Sequence, residues 1–341
     1  MTPPAGGNGS AVADITIVGA GPAGLFAAYY GGFRGLKVRI VDSLPQLGGQ
    51  VAALYPEKYI YDVAGFPRIF GKDLVRNLVT QVMQFEPEIC LNEKVQTLKH
   101  LDGKVIEVGT DLGKRLTRAI IISAGIGMFT PRRYDAPELK AWEGRGLSYV
   151  IQRLDDFRDK RVLVVGGGDS ACDWAMMLKP VAKSVTLIHR RDKFRAHEDT
   201  VRQVMSSGMA VKLWYELKAV QGDSRVRKAV IFNNQTKAEE TLEVDCVVAC
   251  LGFHSNLGPI TTWGLKMEED SIIVNSKMET NVPGVYAAGD VTTYPGKVKL
   301  IITGFGEACT AVNNAAHYVH PEMSVFPGHS SNLAPDKAAK K

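Results

Sequence analysis

Two stretches of this chain impose the same tight local geometry. "IVGAGPAGL" (17–25) and "VVGGGDSACDW" (164–174) each place three small residues at one spacing, directly after an apolar run. They are Gly19, Gly21 and Gly24 in the first stretch, and Gly166, Gly168 and Ala171 in the second. The preceding runs, "ITIVG" and "RVLVVG", are rich in β-branched residues and read as strands buried on both faces of a parallel sheet. The first small residue permits a sharp turn, and the second lets main chain approach a pyrophosphate. The third lets the following helix pack on its strand. Phosphates then sit on the helix N-terminus, where backbone N–H groups lack partners. Two such units predict an α/β protein with two Rossmann-type domains.

The strand after each loop separates the two. After the first, "LKVRIVD" returns as a strand and ends at Asp42, eighteen residues beyond Gly24. A carboxylate there accepts hydrogen bonds from a ribose diol. After the second, "SVTLIHRR" sets His189 eighteen residues beyond Ala171, followed by Arg190 and Arg191, with Arg195 close behind. An acid would repel a 2′-phosphate, whereas guanidinium groups grip one through paired, charge-assisted bonds. The first site therefore suits FAD and the second NADP(H). A third signal, "GVYAAGD", delivers Asp290 to a sheet end where a ribityl chain and phosphate can meet it. The helix expected over 302–319 begins near Thr303 and Gly304, and its positive end would face the flavin N1 and C2 carbonyl.

Chain order makes the NADP unit an insertion. The expected divisions are 1–125 (first part of the FAD domain), 126–253 (NADP domain) and 254–341 (second part, with a C-terminal extension). The crossings fall in "SAGIGMF" (123–129) and "LGFHSN" (251–256), both glycine-bearing. Of the 341 residues, 45% are hydrophobic and 23% charged, values of a soluble globular protein with a large core. No apolar run reaches the roughly 18 residues that span a bilayer. "MTPPAGGNGSAVAD" has neither the basic start nor the apolar core of a secretory signal, so the expected location is cytoplasmic. Nucleic acid, membrane and metal are not expected partners. The net charge of +5 suits an acidic one. The five cysteines, Cys90, Cys172, Cys246, Cys250 and Cys309, form no Cys-x-x-Cys and read as reduced structural thiols.

"GAGPAG", "GGGDSA", "VTLIHRRDKFRA" and "GVYAAGD" together resemble the thioredoxin reductase branch of the two-dinucleotide flavoproteins, along nearly the whole chain. Thioredoxin reductases carry a redox-active Cys-x-x-Cys shortly before the second glycine loop; here 126–161 contains no cysteine. The chain more closely resembles the thioredoxin-reductase-like ferredoxin (or flavodoxin)–NADP reductases, which lack the dithiol and extend past the last FAD helix. The matching extension is 318–341, and "GGQVAALYPEKYIYDVAGFP" (48–67) is similar to their flavin-side segment.

That resemblance implies an aromatic on each face of the isoalloxazine: Tyr55 from "ALYP", and His329 from the extension, donated across a homodimer. It also implies FAD contacts from Gln50, Val95, Phe129 and Ser331. The implied activity is electron exchange between NADP(H) and a one-electron carrier, ferredoxin or flavodoxin. Flavin bridges the two because nicotinamide moves electrons in pairs and an iron–sulfur cluster moves them singly. Nicotinamide would reach the ring by rotation of the NADP domain or by displacement of His329. The alternatives are an NADPH-dependent reductase of small disulfides, quinones or metal chelates, and a flavin sensor without turnover.

Overall fold

The computed structural model describes residues 11–332. The N-terminal stretch considered as a signal, and the end of the extension, thus fall largely outside the described residues. The described residues form two compact units: 11–53, 58–128 and 256–332 make the first, and 54–57 with 129–255 the second. Seven α-helices occur among the described residues: α1 (Pro22–Phe33), α2 (Gly49–Leu54), α3 (Gly71–Met83), α4 (Pro137–Lys140), α5 (Asp169–Leu178), α6 (Glu198–Ser206) and α7 (Ile301–Val319).

In the first unit, apolar β-branched runs assemble a seven-stranded sheet. Its parallel part runs in the order Glu88–Cys90, Val38–Val41, Ala13–Val18, Gly113–Ile122, Val285–Ala287. Gly113–Ile122 is long enough to serve two purposes. Its second half pairs with parallel neighbours on both sides, as at Ile15↔Ala119 and Val285↔Ile120, and its first half starts an antiparallel extension through Val105–Thr110 to Val95–Leu101. The parallel strands are buried, Ile15, Ile17, Ile40 and Ile120 through Ile122 completely so. Helix α1 starts on Pro22, whose fixed φ suits a first helical position. It ends where Gly35, at φ +77°, turns the chain and Leu36 N–H donates back to the Gly31 carbonyl.

The second unit carries a five-stranded, wholly parallel sheet, ordered Leu147–Ser148, Cys246–Ala249, Arg161–Val165, Ser184–His189, Ala210–Leu213. A three-stranded antiparallel sheet, Tyr215–Gly222, Val226–Asn233 and Glu239–Glu243, lies between Ala210–Leu213 and Cys246–Ala249 in sequence. The two chain crossings pair as a ribbon, Met128–Pro131 with Phe253–Asn256. All five cysteines are unbridged. No helix among the described residues is long and apolar enough to cross a membrane.

One charged residue is built into the first core. Arg39, in the middle of an apolar strand, is 0% exposed. Its guanidinium donates to Glu88 Oε2 at 2.8 Å, to the Leu116 carbonyl at 2.9 Å and to the Ala11 carbonyl at 3.0 Å, tying three segments together. Arg39→Leu leaves two carbonyls without these donors and should destabilise the protein by on the order of 3 kcal/mol. Urea unfolding measures this, and Glu88→Gln should cost much less because Glu88 is half-exposed.

Candidate dinucleotide sites

The three small residues of the first loop are small for two different reasons. Gly19 has φ +107°, and a Cβ there would lie 2.5 Å from the Ser123 carbonyl oxygen. A Cβ on Gly24 would overlap the Gly19 carbonyl oxygen, to which Ser123 Oγ donates at 2.8 Å. Packing of the protein on itself thus demands glycine at both positions. A Cβ on Gly21 would meet nothing within 4 Å. Gly21 caps α1 in extended backbone, so the space before it is where the free N–H groups of the first turn point. Asp42 is buried beside the loop and accepts Ala20 N–H at 2.5 Å and Leu44 N–H at 2.8 Å. Burial pushes its carboxyl above the ordinary range, against the pull of those bonds. Each oxygen keeps a lone pair for a ribose hydroxyl.

A second helix N-terminus converges on this place. Gly304, in the first turn of α7, would put a Cβ 3.3 Å from both Ala23 Cβ and Gly289 Cα. Three small residues therefore bring the start of α1, the start of α7 and the Gly289–Asp290 turn into contact. Asp290 is half-buried and has no hydrogen bond or ion pair among the described residues. Burial raises its carboxyl, while Lys297 and Lys299 draw it down. Thr303 is half-buried on α7, and Gln50 on α2 lays its amide nitrogen 2.8 Å from where a Gly125 Cβ would be. Val95 is buried at the head of its strand and Phe129 half-buried in the ribbon. Tyr55 is half-buried and packs on the apolar cluster of the second unit that contains Cys172 and Trp174.

His329 and Ser331 are placed elsewhere. Both are exposed, and the His329 ring meets Phe326 edge-on at 5.4 Å, beside Phe33 and Arg34. Arg34 Nη2 holds the extension there through the Ser324 carbonyl at 2.7 Å. Helix α1 has 12 residues and so is about 18 Å long. His329 lies at its C-terminal end and Gly21 at its N-terminal end, so one chain does not bring them together.

The second loop repeats the first. Gly166 has φ +151°, and its Cβ would lie 2.6 Å from the Cys250 carbonyl oxygen and 2.9 Å from Ala171 Cβ, while Gly168 opens on space and caps α5. Arg190, Arg191 and Arg195 are exposed, with no carboxylate partner among the described residues. Three cations left unpaired on one short loop are ready for an anion. His189 differs from them. Its ring is buried, stacks on Phe194 at 5.1 Å and puts Nε2 3.1 Å from the Lys193 carbonyl. Burial holds its pKa low, which favours the neutral imidazole. A Cβ on Gly167 would overlap this ring. His189 thus shapes the arginine loop from inside, and Arg195 N–H donating to the Gly167 carbonyl at 2.7 Å closes it.

Sequence reasoning overlooked three contributors. Gly167 is the middle of three glycines and makes room for His189. Asn234 donates to the Arg190 carbonyl at 2.8 Å and to Glu216 Oε1 at 3.0 Å, across a sequence gap that no local spacing reveals. Glu307 is a buried acid in apolar α7, and its solitary charge within "GFGEACTAV" is the signal that marked it.

A family model described as pyridine nucleotide-disulphide oxidoreductase matches residues 13–315. A ferredoxin–NADP reductase of Halalkalibacterium halodurans is 54% identical over 321 residues, covering 94% of this chain and 97% of the relative. One from Thermus thermophilus is 53% identical over 326 residues, with the same two coverages. Among solved structures, thioredoxin reductase of T. acidophilum matches with a TM-score of 0.74 at 27% identity, over 92% of this chain and 99% of that one. The Lactococcus lactis thioredoxin reductase matches with a TM-score of 0.73 at 27% identity, over 90% and 99%. The fold is that of thioredoxin reductases, α/β with two Rossmann-type units.

The two reasons for glycine separate by experiment. Gly24→Ala should lower the melting temperature, because its methyl meets main chain. Gly21→Ala and Gly168→Ala should leave melting of the ligand-free protein unchanged. They should weaken dinucleotide binding by about tenfold or more, the worth of one charge-assisted hydrogen bond at ~1.5–3 kcal/mol. Thermal melts and calorimetric titrations of the three variants provide the check.

Proposed function

We propose that this chain, which belongs to the pyridine nucleotide-disulphide oxidoreductase family, is a ferredoxin–NADP reductase: an FAD enzyme exchanging electrons between NADP(H) and a one-electron carrier protein. The observation that carries this reading is a chain with both dinucleotide loops and no thiol relay. Its five cysteines include no Cys-x-x-Cys and are unbridged. Burial, with Glu93 beside Cys90 and Asp173 and Asp169 beside Cys172, pushes both thiols up to about 11, so they stay protonated at neutral pH and make poor nucleophiles. Electrons that reach the flavin therefore leave for a partner. The names of the curated relatives supply its class, ferredoxin.

The first loop fits FAD. The open space at Gly21 takes the pyrophosphate, Asp42 takes the adenosine ribose, and the unpartnered Asp290 accepts from the ribityl and phosphate end. The α7 N-terminus, with Thr303, supplies positive potential where the pyrimidine carbonyl would lie. Bound flavin supplies hydride exchange with nicotinamide and single-electron exchange with the carrier. Gln50, Val95 and Phe129 border it. Tyr55 covers one face and His329 the other, shielding the ring from water. His329 sits about 18 Å along α1 from its own loop, so a homodimer, with His329 of the partner subunit on the ring, is the arrangement that completes the site. The second loop takes NADP(H): Gly166, Gly168 and Ala171 form the phosphate turn, and Arg190, Arg191 and Arg195 grip the 2′-phosphate. A cytoplasmic setting suits these reduced thiols.

The deciding assay is NADPH-driven cytochrome c reduction with and without added ferredoxin. Turnover that requires ferredoxin supports the reading; full turnover with quinones or disulfides alone replaces it with a small-acceptor reductase. Arg190→Ala with Arg191→Ala should reduce kcat/KM for NADPH by about a hundredfold or more, two lost contacts at ~1.5–3 kcal/mol each. The value for NADH should change little, and equal losses would remove the 2′-phosphate assignment.

A further inference from the structure

Glu307 occupies the second turn of α7 and its carboxylate is fully engaged. It accepts Gly289 N–H at 2.7 Å, Tyr294 OH at 2.6 Å, Thr292 Oγ1 at 3.4 Å and the Lys297 ammonium. The Lys297 and Glu307 side chains are 5% and 4% exposed. Removing two charges from water costs several kcal/mol per ion, and an apolar pair of similar volume commonly does as well or better for stability. Their location offers another role. Gly289, bonded to Glu307, is the residue before Asp290, and Gly304 packs the first turn of α7 on Gly289. Lys297 also acts on Asp290, opposing the effect of burial on that carboxyl. The ion pair thus stands behind both elements that face the flavin end of the first site. In this poorly hydrated interior its field is weakly screened.

We propose that Glu307 and Lys297 are a positioning pair that holds the Gly289–Asp290 turn and sets the electrostatic field at the flavin's pyrimidine end, thereby tuning the flavin midpoint potential. This rests on the FAD assignment above. The two charges act with opposite sign. Reduction adds negative charge to the ring, so an uncompensated Lys297 favours the reduced flavin and an uncompensated Glu307 disfavours it. A purely structural clamp has no such sign.

The test is a spectroelectrochemical titration of the purified holoprotein between pH 6 and pH 8, with FAD affinity measured in parallel by fluorescence titration of the apoprotein. Glu307→Gln, which keeps an acceptor for Gly289 N–H, should raise the midpoint; Lys297→Met should lower it. The double variant should return toward the parent value, and Lys297→Arg should match it. Single variants that shift in the same direction, or weaken FAD without moving the potential, overturn the proposal. If the charge variants fail to hold FAD, Tyr294→Phe decides. It preserves the pair while stripping Glu307 of one donor, so it should shift the midpoint in the direction of Lys297→Met by a smaller amount. An unchanged midpoint overturns the idea. A parent protein that takes up no flavin on reconstitution sinks the FAD reading itself, whereas a normal parent midpoint with co-directional shifts sinks only the pair.

Discussion

The site depends on a steric exclusion: backbone must touch backbone where the first strand turns into α1. The Gly19 carbonyl fills the place where Gly24 would carry a methyl, and the Ser123 carbonyl fills that of Gly19. With those contacts closed, α1 cannot start elsewhere, and its N-terminal N–H groups face the space beyond Gly21. Gly166 against Cys250 and Ala171 does the same for α5. The alignment of each helix N-terminus with a sheet edge is therefore a consequence of close packing inside the protein. Ligand affinity uses a geometry that the fold already imposes, which limits the ordering cost of binding.

Much of this was legible because it is local. The spacing from Gly19 to Asp42 and from Gly166 to His189 encodes one strand–turn–helix–strand unit, and such units fold as read, down to α7 starting at Ile301 where 302 was expected. Residue type at the end of the second strand separated an acid from a basic cluster. The features that escaped were set by tertiary contact. "HRR" presents three basic residues in a row, yet His189 is the last residue of a strand buried on both faces, while Arg190 and Arg191 lie beyond its end in solvent. Asn234 reaches Arg190 from a distant turn, and the Glu307 partners lie 10 to 18 residues away across a loop. No periodicity encodes contacts of that kind.

The two clusters of charge illustrate how solvent decides a role. Arg190, Arg191 and Arg195 remain exposed and unpaired, which costs little because water solvates them until an anion arrives. Glu307 and Lys297 are removed from water and must satisfy one another at all times. The first arrangement suits the mobile anionic ligand proposed for it. The second is permanent, and its influence falls on whatever occupies the neighbouring space.

The C-terminal extension places a geometric demand on the assembly. Arg34, at the end of α1 away from the glycine loop, fastens the extension through the Ser324 carbonyl, while its other guanidinium nitrogen donates to Asn313 of α7. A helix is a rigid spacer, so this attachment keeps His329 about 18 Å along α1 from the loop of its own chain. The stretch from the Ser324 anchor to His329 is five residues, and in this structure it folds beside Phe33 and Arg34 instead of running back along α1. Under the proposed function, a histidine held there would serve the flavin of a second copy. The same attachment keeps His329 ordered beside Phe326 at the exposed surface, where the proposed second protomer would meet it. Pre-ordering reduces the entropy lost when such an assembly forms. An extension that hung free would reach either site and would be held at neither.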